Sequence, residues 1–270
     1  ITVHDIAYLR LPNLLNTSRK VYKKNILQIS IKKAEVIIVD SYATKKDIIE
    51  YFGIREGKIR VIHLGVESRF RPINNVESFR LKNNLPSKMI LNVGTLEPRK
   101  NVVSLIKAFN ELRKKGFKDY KLVIAGNKGW LYEEIFKEVI HSDLEREVLF
   151  LGVVKDKDLP VLYNCADIFV YPSLYEGFGL PPLEAMACGI PVITSNTSSL
   201  PEVIGDAGIM VDPTDINSLC DSMYVLLKDK ELWNRMRNMG LERSKLFSWD
   251  NTAEKILKVY DEVFSMHKYQ

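Results

Sequence analysis

Two carboxylates, Glu176 and Glu184, stand eight residues apart in the string Glu-Gly-Phe-Gly-Leu-Pro-Pro-Leu-Glu, around a glycine turn that opens a helix. Gly177 and Gly179 free the backbone to approach a ligand closely. The unpaired N–H groups of the first helical turn, near Leu180, suit a phosphate. Glu176 stays in the loop while Glu184 falls about a turn and a half into the helix. One carboxylate can then reach a sugar and the other a ribose, with a diphosphate between them. Taken singly, Glu176 also reads as a helix cap and Glu184 as a solvated face residue; the whole string is what argues for a site. Arg99 and Lys100 follow Gly94 and Thr95 at another strand end. Cations at a helix amino terminus are disfavoured by about 0.3–1 kcal/mol, so a local anion explains the pair better than chance, against the plain alternative of a solvated surface.

These residues need a frame that brings strand ends together. Residues 167–173 read as a buried parallel strand, and 180–188 as a short helix stopped by Gly189 and Pro191. Their connecting loop lies at the carboxyl end of the strand, where open α/β sheets bind ligands. From Met89 onward, short apolar runs (89–93, 120–125, 148–151, 168–171, 191–194, 208–211) alternate with amphipathic stretches. That alternation predicts βαβ units in a doubly wound parallel sheet, closed by helices at 216–227, 231–246 and 251–264. Residues 1–72 read as strands 1–3, 36–39 and 59–62 with helices 22–31 and 44–51, the second capped by Ser41 or Thr44. That is about half of a nucleotide-type domain. Residues 74–86, rich in Asn and Pro, read as a linker. Asp156-Lys-Asp158 reads as a helix N-cap rather than as a metal-holding pair.

Four ordered matches carry a family resemblance. The 176–184 string resembles the E-x7-E motif of family 4 retaining glycosyltransferases of the GT-B fold. Val93-Gly-Thr-Leu-Glu-Pro-Arg-Lys-Asn101 resembles that family's donor-diphosphate loop, and Val61-Ile-His-Leu-Gly-Val66 with Phe70-Arg-Pro72 its interdomain connection. His4-Asp5 is similar to the step that closes a strand of its amino-terminal domain. The resemblance implies two Rossmann-like domains: 1–72 as the latter part of an acceptor-side domain, 73–249 as the donor-binding domain, and 250–270 as a helix crossing back. It implies catalytic roles for His4, Glu176, Arg99 and Lys100. Donor binding falls to Gly94, Thr95, Gly177, Phe178, Gly179, Leu180 and Glu184, with Val153 and Val154 against the nucleobase. His4 would point across the cleft at the transferred sugar, and the leaving phosphate would help deprotonate the acceptor on the same face. No metal or cofactor is implied, because side-chain cations face the phosphates of a nucleoside-diphosphate sugar. The loop and the His-Asp step look most like mannosyltransferases of polysaccharide assembly, so GDP-mannose is the expected donor and a glycan or lipid-linked molecule the acceptor. A nucleotide-sugar 2-epimerase and a chain that only binds nucleotide remain alternatives. The family's earlier βα units are expected upstream of Ile1. Without them, an apolar sheet edge and face around 36–39 and 61–62 should lie uncovered, so that the chain either self-associates there or retains the missing segment as a separate, cleaved piece.

Composition agrees with this enzyme class. The chain has 270 residues, 46% of them hydrophobic, enough for a sizeable core. Cys165, Cys188 and Cys220 show no CxxC spacing, against a disulfide framework or zinc site and in favour of a cytoplasmic setting. Residues 10–60 hold twelve Lys or Arg against five Asp or Glu, a local net charge of +7 in a chain of +5. This stretch reads either as a solvated helical face or as a surface that meets the anionic inner face of a membrane. Nucleic acid is disfavoured, since no aromatic-interleaved basic module is present.

Overall fold

A computed structural model describes residues 1–11 and 17–267, with side chains outside 17–23 and 267. Two parallel sheets organise it. The first takes β1 (Thr2–Val3), α1 (Ala7–Arg10), α2 (Thr17–Lys33), β2 (Ile37–Val39), α3 (Tyr42–Phe52) and β3 (Ile59–Val61), with strand order β1-β2-β3. Ser41 caps α3, its hydroxyl accepting from Thr44 N, and Gly53 ends it in the left-handed region at φ 63°.

The second sheet follows α4 (Glu77–Lys82). It contains β4 (Met89–Val93), α5 (Val102–Lys114), β5 (Lys121–Ala125), α6 (Glu133–His141), β6 (Val148–Gly152), α7 (Leu159–Asn164), β7 (Ile168–Tyr171), α8 (Leu180–Ala187), β8 (Val192–Ser195), α9 (Leu200–Ile204) and β9 (Ile209–Val211). Its order is β6-β5-β4-β7-β8-β9. Successive strands run outward from β4 on one side and from β7 on the other, so the strand order reverses between β4 and β7. At such a switch point the loops diverge and leave a crevice. Strand residues alternate between two cores. Leu91, Val123, Phe169, Tyr171 and Val192 face α7 and α8, while Ile90, Leu122, Ile124, Val170 and Ile193 face α5 and α6 together with α10 (Ile216–Lys228).

The chain closes with α11 (Lys230–Ser244) and α12 (Trp249–His267). Val259 of α12, flanked by Ile256 and Val263, packs on Val36, Ile38 and Ile62 beside the first sheet. Two expectations are thereby corrected. The apolar face around 36–39 and 61–62 is not bare: Val36, Ile37, Ile38, Val39 and Ile62 are all buried, because α12 covers one face and α2 with α3 the other. Nor is 74–86 a plain linker. It carries α4, Leu85 is buried, and Arg80 Nη2 donates to Cys165 O at 2.9 Å. Among the described residues no helix is long and apolar enough to cross a membrane.

Candidate functional site

The two loops at the β4/β7 switch point bring the cations and the first carboxylate together. After β4 the chain forms a tight turn at Pro98–Lys100. Asn101, at φ 55°, fixes it by donating to Pro172 O at 3.1 Å and Pro213 O at 2.7 Å. After β7 the chain returns through Ser173 to Glu176. The Glu176 carboxylate, nearly enclosed, receives Arg99 Nη1 at 2.8 Å on one oxygen. On the other it receives Lys100 Nζ at 2.6 Å, Ser173 Oγ at 2.5 Å and the Tyr171 hydroxyl at 3.0 Å. Arg99 also donates to Glu97 at 2.8 Å and to Tyr175 O at 2.9 Å.

Burial opposes ionisation of Glu176, yet Lys100 and Arg99 overcome it and hold the carboxyl below its usual range. Burial likewise opposes the Arg99 charge, and Glu176 and Glu97 outweigh it. Arg99 and Lys100 therefore do not face phosphates alone, as the sequence reading had it. An isolated buried charge is expensive, and the carboxylates of Glu176 and Glu97 together balance the two cations. Among the described residues Arg99 Nη2 takes no hydrogen-bond partner, so this nitrogen stays open to an anion.

The start of α8 corrects a second expectation. Pro181 and Pro182 occupy its first turn and carry no N–H, so the turn offers a phosphate little beyond the Leu180 amide. Gly179 precedes it at φ 120°, a conformation that favours glycine. Glu184 turns inward. Its Oε2 accepts the Tyr163 hydroxyl at 2.8 Å, and burial pushes its pKa up to about 7, with the Tyr163 bond pulling the other way. Oε1 has no partner among the described residues. Val153 is exposed and Val154 packs on the core; both line a cavity of about 320 Å³ with Asp158, Lys155 and Asn83. Asp158 holds the expected N-cap position of α7 but makes no side-chain capping hydrogen bond, and it lines the same cavity. A Cβ on Gly94 would come within ordinary contact range of Lys100 and Tyr171.

Across the cleft stands the first sheet. A Cβ on Gly177 would sit 2.3 Å from His4 O and 2.8 Å from Asp5 Cβ. The glycine thus admits the backbone of the other lobe, not a ligand. The Thr44 hydroxyl lies 3.4 Å from both His4 O and Gly177 O. Tyr175 donates to Asp47 at 2.6 Å, and Glu202 accepts from the Tyr42 and Ala43 amides at 2.9 and 3.2 Å, capping α3 from the opposite lobe. The His4 side chain is 72% exposed, and its Nδ1 lies 2.8 Å from Oδ2 of the buried Asp40. The sequence reading missed Asp40. Val3 pairs with Val39 in register, so the next residues, His4 and Asp40, emerge side by side; a register assignment would have found it. Phe178 is buried against Phe247 and His63, and Thr95 sits in the loop that packs on Gly129. Neither contact bears on their expected part in donor binding.

Two parallel α/β lobes meeting at their strand ends, with a buried Glu-Arg-Lys cluster on one side and an exposed histidine on the other, define the GT-B class of glycosyltransferases. Residues 74–243 match the profile described as "Glycosyl transferases group 1", and residues 1–70 match "Glycosyltransferase Family 4". O-antigen chain mannosyltransferase B of Escherichia coli is 35% identical over 263 residues, 96% of this chain and 69% of that protein. The serotype-specific mannosyltransferase WbdA of the same organism is 35% identical over 252 residues, 91% of this chain but 30% of its own length. Among solved structures, sucrose-phosphate synthase from Thermosynechococcus elongatus superposes with a TM-score of 0.83 at 25% identity, covering 98% of this chain and 67% of that one. The chain belongs to the group 1 glycosyl transferases.

Proposed function

We propose that this chain transfers mannose from GDP-mannose to a growing glycan or lipid-linked acceptor in polysaccharide assembly, with retention of the anomeric configuration. The sugar and the setting are supported by the 35% identity to O-antigen chain mannosyltransferase B. The observation that supports the chemistry is the close approach of Gly177, next to Glu176, to the His4 backbone of the facing lobe.

In this reading Arg99 Nη2 and the Leu180 amide meet the diphosphate, and Lys100 supports the charge that develops on it as the bond to the anomeric carbon breaks. Glu176 holds both cations and accepts from the hexose; it is not a nucleophile. Oε1 of Glu184 accepts from the ribose, and the cavity at Val153 and Val154 takes the base. The leaving phosphate receives the acceptor's proton on the same face, so transfer needs neither metal nor cofactor. The basic stretch 10–60 turns the enzyme toward the anionic cytoplasmic face of a membrane. Incubating the purified protein with GDP-mannose, UDP-glucose and an O-antigen primer in separate pairings tests the reading: mannosylated primer is expected from GDP-mannose, and glucosylated primer or an epimerised donor would overturn it.

A further inference from the structure

Asp40 stands out among groups that the proposed chemistry does not use. It is a carboxylate at the carboxyl end of β2, 2% exposed, in a position where an unpaired charge is costly. A structural aspartate at such a place ordinarily ties down backbone amides. Asp40 ties down none: Oδ2 meets His4 Nδ1 at 2.8 Å, and Oδ1 has no partner among the described residues. A buried polar atom left open calls for a reason. Capping of α3 supplies none, because the Ser41 hydroxyl does that work.

Asp5 is no substitute for it. Although adjacent to His4 in sequence, Asp5 accepts the Ala7 amide through Oδ1 at 2.9 Å and starts α1. The other charged groups that act on Asp40 are His4, Asp5 and, from the connection after β3, His63. His63 is turned away, toward Glu202 at 3.3 Å and the rings of Phe178 and Phe247. Among the described residues the single side chain that Asp40 engages is thus His4, whose ring is largely exposed while its Nδ1 edge is held from below.

We propose that Asp40 is a positioning residue that fixes the tautomer and orientation of His4, so that His4 Nε2 presents a lone pair to a hydroxyl of the transferred hexose; the hexose contact rests on the function proposed above. A carboxylate only accepts, so the shared proton belongs on Nδ1 and the outer nitrogen is left as the acceptor. Without Asp40 the ring is free to turn over and to carry its proton on Nε2. It would then meet a sugar hydroxyl with a donor where an acceptor is required.

Two measurements test this. In the free protein, ¹⁵N NMR of the His4 ring, assigned by comparison with His4→Gln, should show the proton on Nδ1 in the neutral form. Asp40→Asn should shift the population toward Nε2–H. This readout stands whether or not GDP-mannose is the donor, and the wild-type spectrum alone decides it should the variant fail to fold. With GDP-mannose as donor, Asp40→Asn should lower kcat on the order of tenfold to a hundredfold while the donor KM changes less than about threefold. The same substitution should have almost no effect in a His4→Ala background, since Asp40 acts through His4. An Nε2–H tautomer in the wild type would overturn the proposal. So would equal losses from Asp40→Asn in the presence and absence of the histidine, the result expected of a merely structural carboxylate.

Discussion

Glu184→Gln isolates the effect of burying a carboxylate in the middle of α8. In the folded chain the pKa of Glu184 rises from 4.5 to about 7, chiefly through burial. Between those values the folded protein holds a proton that the unfolded chain has released. Stability must therefore fall as pH rises from about 4.5 to about 7, and level off above that. At about 1.36 kcal/mol per pH unit the full change approaches ~3 kcal/mol, a ceiling that the open Oε1 lowers toward ~2 kcal/mol. Gln keeps the acceptor for the Tyr163 hydroxyl but does not titrate. Urea unfolding of both proteins at pH 5, 6, 7 and 8 should give a difference that grows in favour of the variant by about 2–3 kcal/mol across this range and is small at pH 5. Affinity for GDP should move the opposite way in the wild type, rising from pH 6 to 8 as Glu184 ionises and can accept from a ribose, and should stay flat in the variant. Parallel stability curves would show that Glu184 is not held protonated, and the reasoning from its burial would fail.

Gly177→Ala puts a methyl group 2.3 Å from the His4 carbonyl oxygen; overpacking of this kind typically costs about 1–3 kcal/mol, measurable by denaturant titration, and an unchanged midpoint would show that the lobes do not meet there. Lys100→Met leaves Glu176 short of a cation and should destabilise by about 3–5 kcal/mol, the range for breaking a buried pair, whereas Lys100→Met with Glu176→Gln should recover most of that in the same titration. Arg99→Ala should weaken binding of GDP in calorimetry far more than binding of guanosine, because Nη2 is the group left open to phosphate; equal losses would make the arginine purely structural.

Much of the architecture was legible because parallel strands buried on both faces are written as short continuous apolar runs, and 89–93, 168–171 and 191–194 are runs of that kind. The site was legible as a set of residues but not as a set of contacts. Glu176 lies 77 residues from Arg99 and 76 from Lys100 in sequence, and nothing local states that they pair. Gly177 reads as a ligand turn until the opposing backbone is in place. The burial of Glu184 depends on Tyr163 from α7, a tertiary fact. Pro181 and Pro182, by contrast, were in plain view: their missing N–H groups already limited the α8 terminus as a phosphate cradle. α4 was missed because a one-and-a-half-turn helix in a polar stretch yields too little periodicity, and Phe79 and Leu85 anchor it only through the neighbouring core.

The most direct test of the account is transfer from GDP-mannose carrying ¹³C at the anomeric carbon, with an O-antigen primer and excess chelator present, followed by NMR of the new glycosidic carbon. Metal-independent transfer that keeps the donor's anomeric configuration, and that is lost in Glu176→Ala, is the expected result. Inversion at that carbon, or transfer that stops when metal is removed, would contradict the assignment of the diphosphate to Arg99 and Lys100 and of same-face chemistry to this cleft.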